Sequence, residues 1–473
     1  MLPPSISRGV QLVCYLSKSD LQQDQPVIPL RPIGGSQFDD WKQQAPSAQI
    51  KWVDASGFKA APGQLCAVPG SGDGLESWLF GFDEQGSLYR LSSLVAGLPQ
   101  AIYRLDSDWS RQQRIQASLG WGLAAYRFDR YKANTKPKPI LLLDEDIDSE
   151  VRSLHRAQCL VRDLVNTPTE HMGPSQLADA VLREADAFDA ETDFVVGDEL
   201  LTRNFPAIHA VGRASSQPPR LLELNWGKEE APLLALVGKG VCFDSGGLDI
   251  KSAAGMQLMK KDMGGAAHAL ALARLVMEQQ LPVRLKLLIP AVENAISGNA
   301  YRPGDIISSR KGLTMEIGNT DAEGRVVLAD ALACACESGP DLVIDFATLT
   351  GAARIALGAD LPPVFSNRGE VAWDIQQAGD EEEDPVWTMP LYQPYRKQIE
   401  SSIADLSNSG SSTYGGCITA ALFLEYFVEP NIPWVHIDTF AWNQADRPGR
   451  PQGGEALGLR AVFRYLQSRY PQI

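Results

Sequence analysis

Residues 319–330, NTDAEGRVVLAD, place Asp321, Glu323 and Arg325 directly ahead of an apolar run with helical spacing. Carboxylates two positions apart point the same way if the chain is extended just before the helix begins. Upstream, VGKGVCFDSGG holds Lys239 and Asp244 in a Gly-rich turn, where backbone can approach a ligand closely. Lys251 follows, and then MKKDMGGAAHA, with Asp262 just ahead of a second helical run. Asp244, Asp262, Asp321 and Glu323 thus all fall at strand ends or helix starts. Converging on one crevice, they would repel one another unless a cation intervened. A carboxylate-rich set without Cys or His suits hard or borderline divalent ions, and two carboxylates can bridge a metal pair.

Each of these residues also has a plainer reading. Thr320-x-x-Glu323 fits a capping box, Asp262 fits an acid favoured in a helix's first turn, and Lys251 and Arg325 fit solvated surface charges. Lys239 resists such a reading, because an unpaired ammonium after a buried strand is costly unless it deprotonates or finds a partner. All of them lie in the two most Gly-rich, least periodic stretches of the chain, which favours a common site. Histidine narrows the chemistry. His155, His171, His209, His268 and His436 form no HExxH, which argues against an imidazole-ligated zinc peptidase. His268 and His436 read as helix and strand packing residues. GxxxxGK[ST] is absent, so the Gly-rich turn is no P-loop. A dinuclear phosphoesterase shares the carboxylate-and-metal logic and stays open on the residues alone.

The elements that must position these residues are α/β in character. From about residue 170 onward, the apolar runs PLLALVG, VRLKLLIP, DLVIDFA and WVHIDTF alternate with the helical patterns GGAAHALALARLVMEQQ, VVLADALACACES, ITAALFLEYFV and ALGLRAVFRYLQ. This alternation predicts a mostly parallel sheet with helices on both faces, and a ligand crevice at the carboxyl ends of its strands. The first 145 residues or so hold short strand-like pieces, QLVCYL, LCAVPG, SWLFGF and PKPILLL, which read as a modest α/β unit without a catalytic cluster. VRSLHRAQCLVRDLVN reads as a connecting helix ending near Pro168 and Pro174. The division expected is a smaller N-terminal α/β domain over 1–148, a connecting helix over 149–168 and a larger α/β/α catalytic domain over 169–473.

Composition limits the alternatives. A chain of 473 residues, 44% apolar and 21% charged, is long enough for two cores and is globular in type. Its net charge of -15 disfavours nonspecific attraction to nucleic acid or to an anionic membrane. Seven scattered cysteines without a CxxC pair suggest no disulfide framework, so a reducing cytoplasm is expected. The N-terminal MLPPSISRGVQLVCYLSKSD lacks a basic leader region, and no stretch supplies the roughly 18 apolar residues of a membrane span. A soluble, unexported protein is expected.

VGKGVCFDSGG, DIK, MKKDMGGAA, NTDAEGRVVLADAL and DFATLTGA resemble, in order and spacing, the leucyl aminopeptidase (cytosol aminopeptidase) family of dinuclear metallopeptidases. The resemblance covers most of residues 155–465 and extends through RDLVNTPTEHMGP and ADLSNSGSSTYGGCITAALFLEYFV; over 1–145 it is thin. It implies two divalent ions per subunit, Mn or Zn with Mg as an option. Lys239 as a neutral amine, Asp244, Asp262 and Glu323 would hold the tighter site, and Asp244, Glu323 and Asp321 the more exchangeable one. It further implies that Lys251 stabilises the oxyanion and that Arg325 holds a bicarbonate general base. Asp262 would help to recognise the free amine of a peptide substrate, while Met259, Thr348 and Gly351 would line a pocket favouring leucine-like first residues. A homo-hexamer is implied as well. Val326 and Cys242 depart from the more usual Leu and Thr, which points to tuning of packing or metal preference without loss of activity. Some family members also bind DNA, a role that the acidic balance disfavours here.

Overall fold

The computed structural model describes residues 14–70, 74–133 and 136–472. The leader reading of the N-terminus up to residue 13, and residues 11–13 of QLVCYL, lie outside the described residues. The chain divides into two compact units, Met1–Cys159 with Ala445–Pro451 and Leu160–Gln444 with Gln452–Ile473.

The first unit is built on β1 (Tyr15–Leu16), β2 (Val27–Ile33), β3 (Leu65–Pro69), β4 (Leu75–Gly81), β5 (Ile102–Leu105) and β6 (Ile140–Leu142), in the order β1-β6-β5-β2-β4-β3. All neighbours run parallel except β3 against β4. Its helix Arg111–Ala125 starts at a capping box, in which Ser110 Oγ accepts from Gln113 N and Gln113 Oε1 accepts from Ser110 N. That exchange satisfies two backbone donors that the first turn would otherwise leave unpaired. The helix buries Trp121 against Tyr103 of β5, with ring centroids 6.2 Å apart.

The second unit carries the site. Its main sheet comprises β7 (Glu191–Val196), β8 (Arg220–Trp226), β9 (Leu233–Gly238), β10 (Gly240–Asp244), β11 (Arg284–Asn294), β14 (Leu342–Ala347), β15 (Pro363–Ser366), β16 (Trp387–Thr388) and β18 (Trp434–Asp438). A small separate sheet is formed by β12 (Ile306–Ser308), β13 (Thr314–Glu316) and β17 (Leu406–Ser407). The main order is β16-β15-β18-β14-β9-β11-β8-β7, with β10 also pairing parallel to β11. The centre, β18-β14-β9-β11, is parallel, while β8, β7 and β15 join antiparallel. Every residue of β9, β14 and β18 is buried, as expected of strands covered on both faces.

Alternate residues of β9 show how the layers form. Ala235 and Val237 join one core cluster with Val326, Val327 and other residues of the helix Glu323–Glu337. Gly238 points to the other face, where a Cβ would meet Ala266 Cα at 2.6 Å, so only glycine lets the helix Gly264–Glu278 approach so closely. The two helices that start at the site therefore grip opposite faces of one strand. The expected mostly parallel sheet between helical layers is what forms.

His268 and His436 are packing residues, as their positions suggested. His268 Nε2 accepts from Leu457 N at 3.0 Å, which leaves Nδ1 to donate to Gly264 O at 2.7 Å. Burial pushes its pKa down to about 4, so the ring is neutral. His436 Nδ1 lies 2.6 Å from Asp345 Oδ1 across the β14–β18 pair. Burial alone would lower its pKa, but Asp345 outweighs that and raises it.

Candidate metal centre

Lys239 occupies the single position between β9 and β10. Its amide donates to Phe346 O at 3.0 Å, and its carbonyl accepts from Ala266 N at 2.8 Å, which fixes the backbone between β14 and the helix Gly264–Glu278. The side chain then runs past Gly324, where a Cβ would lie 2.6 Å from Lys239 Cε. Its ammonium reaches Asp262 Oδ2 at 2.6 Å, Glu323 Oε1 at 2.9 Å and, by donation, Thr348 O at 2.9 Å.

Asp244 ends β10, and its Oδ1 accepts from Gly246 N and from Asn294 Nδ2, both at 2.9 Å. Gly246 and Gly247 have φ of +87° and +63°, a left-handed bend that other residues adopt only with strain. The bend returns the chain so that Lys251 Nζ sits 2.8 Å from Asp244 Oδ2 and also contacts Asp321 Oδ1. Asp262 lies in the 3-10 turn Met259–Met263, and its Oδ1 accepts from Thr348 Oγ1 at 2.8 Å.

The helix Glu323–Glu337 begins without a side-chain cap. The capping-box reading of Thr320 and Glu323 is therefore corrected. Thr320 Oγ1 instead donates to Gly246 O at 2.6 Å and accepts from Asp249 N at 2.8 Å, which ties the glycine bend to the helix start. Glu323 is left to turn inward to Lys239.

The structure thus gathers Lys239, Asp244, Lys251, Asp262, Asp321 and Glu323, and Thr348 with them. Oxygens of Asp244, Asp262 and Glu323 all lie within 4.8 Å of one another. Arg325, the third residue of the helix, donates from Nη1 to Asn408 O at 2.9 Å, while its buried Nε finds no partner among the described residues. Met259 opens the turn that holds Asp262, and Gly351 begins the helix Gly351–Leu357 beyond Thr348.

Sequence reasoning did not pick out Asn294, Thr320 as a loop anchor, Asn408 or Asp438. Asn294 and Asp438 each end a strand of the parallel core, so attention to every strand end would have found them. Thr320 and Asn408 carry no such signal. Asn408 Oδ1 accepts from Gly318 N at 2.8 Å and its Nδ2 donates to Asn319 O at 2.7 Å, contacts that only the tertiary fold defines.

The electrostatics match the donor set. Burial, and then the neighbouring Asp244, push the Glu323 pKa up to about 8, although Lys239 pulls against them. Burial and Asp244 likewise push Asp321 up to about 6, against Lys251. Burial alone would lower the Lys239 pKa, but Asp262, Glu323 and Asp244 outweigh it and hold the ammonium above its ordinary range. Buried acids this close cannot all ionise without added positive charge, and two lysines supply only part of it. Carboxylate oxygens so crowded fit divalent cations.

The second unit thus sets a carboxylate and lysine cluster at the strand ends of a mostly parallel α/β sheet. Residues 159–463 match the model of the cytosol aminopeptidase family catalytic domain, and residues 28–144 match that of the M17 aminopeptidase N-terminal domain. The chain belongs to the cytosol aminopeptidase family. It is 40% identical over 397 residues to a probable cytosol aminopeptidase of Syntrophotalea carbinolica, covering 80% of this chain and 77% of that protein. The crystal structure of a cytosol aminopeptidase from Coxiella burnetii matches with a TM-score of 0.92 and 49% identity, over 97% of this chain and 99% of that one. A bottromycin maturation enzyme, BotP, solved in complex with Mn, matches with a TM-score of 0.84 and 32% identity, over 94% of this chain and 99% of that one. Membership makes the chain a metal-dependent aminopeptidase, a hydrolase acting on peptides at a dinuclear centre. No helix among the described residues is long and apolar enough to cross a membrane.

Proposed function

We propose that the chain removes the first residue of peptides at a two-metal centre held by Lys239, Asp244, Asp262, Asp321 and Glu323. The convergence of three buried carboxylates within 4.8 Å, at the carboxyl ends of parallel strands, carries this reading. Mn or Zn suits the mixed oxygen and amine set, with Mg as an option. When bound, such ions supply Lewis acidity that makes a water nucleophilic near neutral pH. Asp244 and Glu323 would contribute ligands to both ions, and Lys239 would have to lose a proton from Nζ to offer its lone pair. Lys251 stands at the rim of the cluster, where its ammonium would orient the scissile carbonyl and stabilise the developing oxyanion. Arg325 would hold a bicarbonate that takes the proton of the attacking water, and its unpartnered Nε supplies a donor for that anion.

The substrate's free amine would meet Asp262, and its first side chain would enter a pocket lined by Met259, Thr348 and Gly351 that would favour leucine-like residues. A homo-hexamer in the cytoplasm, without a nucleic-acid partner, completes the reading. Ile355, Ile403 and Tyr414, at 90%, 61% and 82% exposed, are apolar surface that an assembly would cover. The domains are assigned as 1–148, 149–168 and 169–473.

The test is hydrolysis of leucine p-nitroanilide by the full chain loaded with Mn or Zn. Activity should appear with metal, vanish with a chelator and return on adding metal back. Failure of a folded, metal-loaded sample to release nitroaniline would refute the proposal.

A further inference from the structure

This inference rests on the aminopeptidase reading and concerns what the first side chain of the substrate meets. Two cations flank the ring of Phe440, just beyond the end of β18. Lys261 Nζ stands 5.0 Å from the ring centroid and Arg354 Cζ stands 4.4 Å from it. Neither is fully paired among the described residues, Lys261 meeting a carboxylate only at long range. Lys261 is only 2% exposed, yet its ammonium makes no hydrogen bond among the described residues, and its one ion-pair contact is Asp262 Oδ1 at 3.9 Å. Arg354 is exposed, and its guanidinium makes no ion pair or hydrogen bond among the described residues. The nearby acid Asp438 is already committed. Its carboxylate accepts from Leu349 N at 2.9 Å, Thr350 N at 3.2 Å and Thr350 Oγ1 at 2.6 Å.

Both cations lie close to the residues proposed for the first-residue pocket, Lys261 by its place in the chain and Arg354 by its place in the fold. Lys261 follows Met259 in the same 3-10 turn and precedes Asp262. Arg354 folds back along its helix, so that Nη2 would lie 3.6 Å from a Cβ placed on Gly351. Arg354 and Phe440 share one pocket lining with Thr348. An ammonium buried without a full partner is costly, and a ligand that brings a carboxylate removes that cost on binding. Two incompletely paired cations beside an aromatic ring therefore fit a side chain with an aliphatic stem and an anionic end.

We propose that Lys261 and Arg354 extend the substrate range of this aminopeptidase to peptides that begin with an acidic residue. The experiment compares kcat/KM of the Mn-loaded full chain on leucyl, glutamyl and glutaminyl p-nitroanilides, the last being the uncharged isostere of the second. Wild type should cleave the glutamyl substrate ahead of the glutaminyl one. Lys261→Met and Arg354→Met should each lower the glutamyl-to-glutaminyl ratio by roughly 10- to 100-fold, the range of a hydrogen bond to a charged group. Because Arg354 is exposed, its variant decides the matter even if Lys261→Met does not fold. A wild type that cleaves leucyl but not glutamyl anilide would overturn the proposal. So would variants that keep the wild-type ratio within about twofold. Loss of all three activities in wild type would instead bring down the aminopeptidase reading itself.

Discussion

A Cβ on Gly324 would stand 2.6 Å from Lys239 Cε, inside the contact distance of any two carbons. The missing side chain of the helix's second residue leaves room for Lys239 to reach Asp262 and Glu323 along this path. Gly324→Ala should therefore displace the lysine, destabilising the fold by about 1–3 kcal/mol as overpacking does and lowering Mn affinity by roughly 10-fold or more. Thermal melting and calorimetric titration with Mn check the two effects, and an alanine variant with unchanged affinity would show that the close approach constrains nothing. Lys239, Asp244, Asp262 and Glu323 stood out in the sequence because they cluster in two Gly-rich, aperiodic stretches, although Asp262 and Glu323 singly had structural readings. Asn294, Thr320 and Asn408, which hold the loops in place, were not. Amides and hydroxyls are common in loops, and their partners lie up to 90 residues away in the chain.

At the scale of elements, the buried parallel core was the most readable part. β9 is an unbroken apolar run, β14 and β18 are broken only by Asp345, His436 and Asp438, and the helices after them keep helical spacing. The antiparallel margin was less so. ETDFVV of β7 is mostly exposed and shows no clean strand signal; nor does VIPLRPI of β2, a parallel strand of the first unit, which contains two prolines. A single buried ring also links distant elements: His268 joins the first turn of Gly264–Glu278 to the segment before the helix Leu459–Arg469. Its folded pKa of about 4 lies below the ordinary 6.5, so protonation favours the unfolded chain. The stabilisation is complete above pH 6.5 and fades as pH falls toward 4, by up to roughly 3 kcal/mol. Urea unfolding at several pH values should show wild type losing stability over this window more steeply than His268→Gln, whose side chain does not titrate. Parallel curves for the two proteins would contradict the assignment.

For the whole molecule, length and alternation of pattern were enough to anticipate two α/β units and a parallel sheet, and five short motifs were enough to anticipate the family. What they left open is substrate choice, because Lys261 and Arg354 are 93 positions apart and meet only around Phe440. The central claim is that the cluster at the strand ends is a two-metal hydrolytic centre. Its most direct measurement counts the Mn ions bound per metal-free chain while following leucine p-nitroanilide hydrolysis, for wild type and Glu323→Gln. The account predicts two ions and restored activity for wild type. For the variant it predicts loss of at least one ion and a fall in kcat/KM of about 100-fold or more, with little change in metal-free melting, since Glu323 caps no helix. A Glu323→Gln protein that binds two ions and keeps its activity would contradict it.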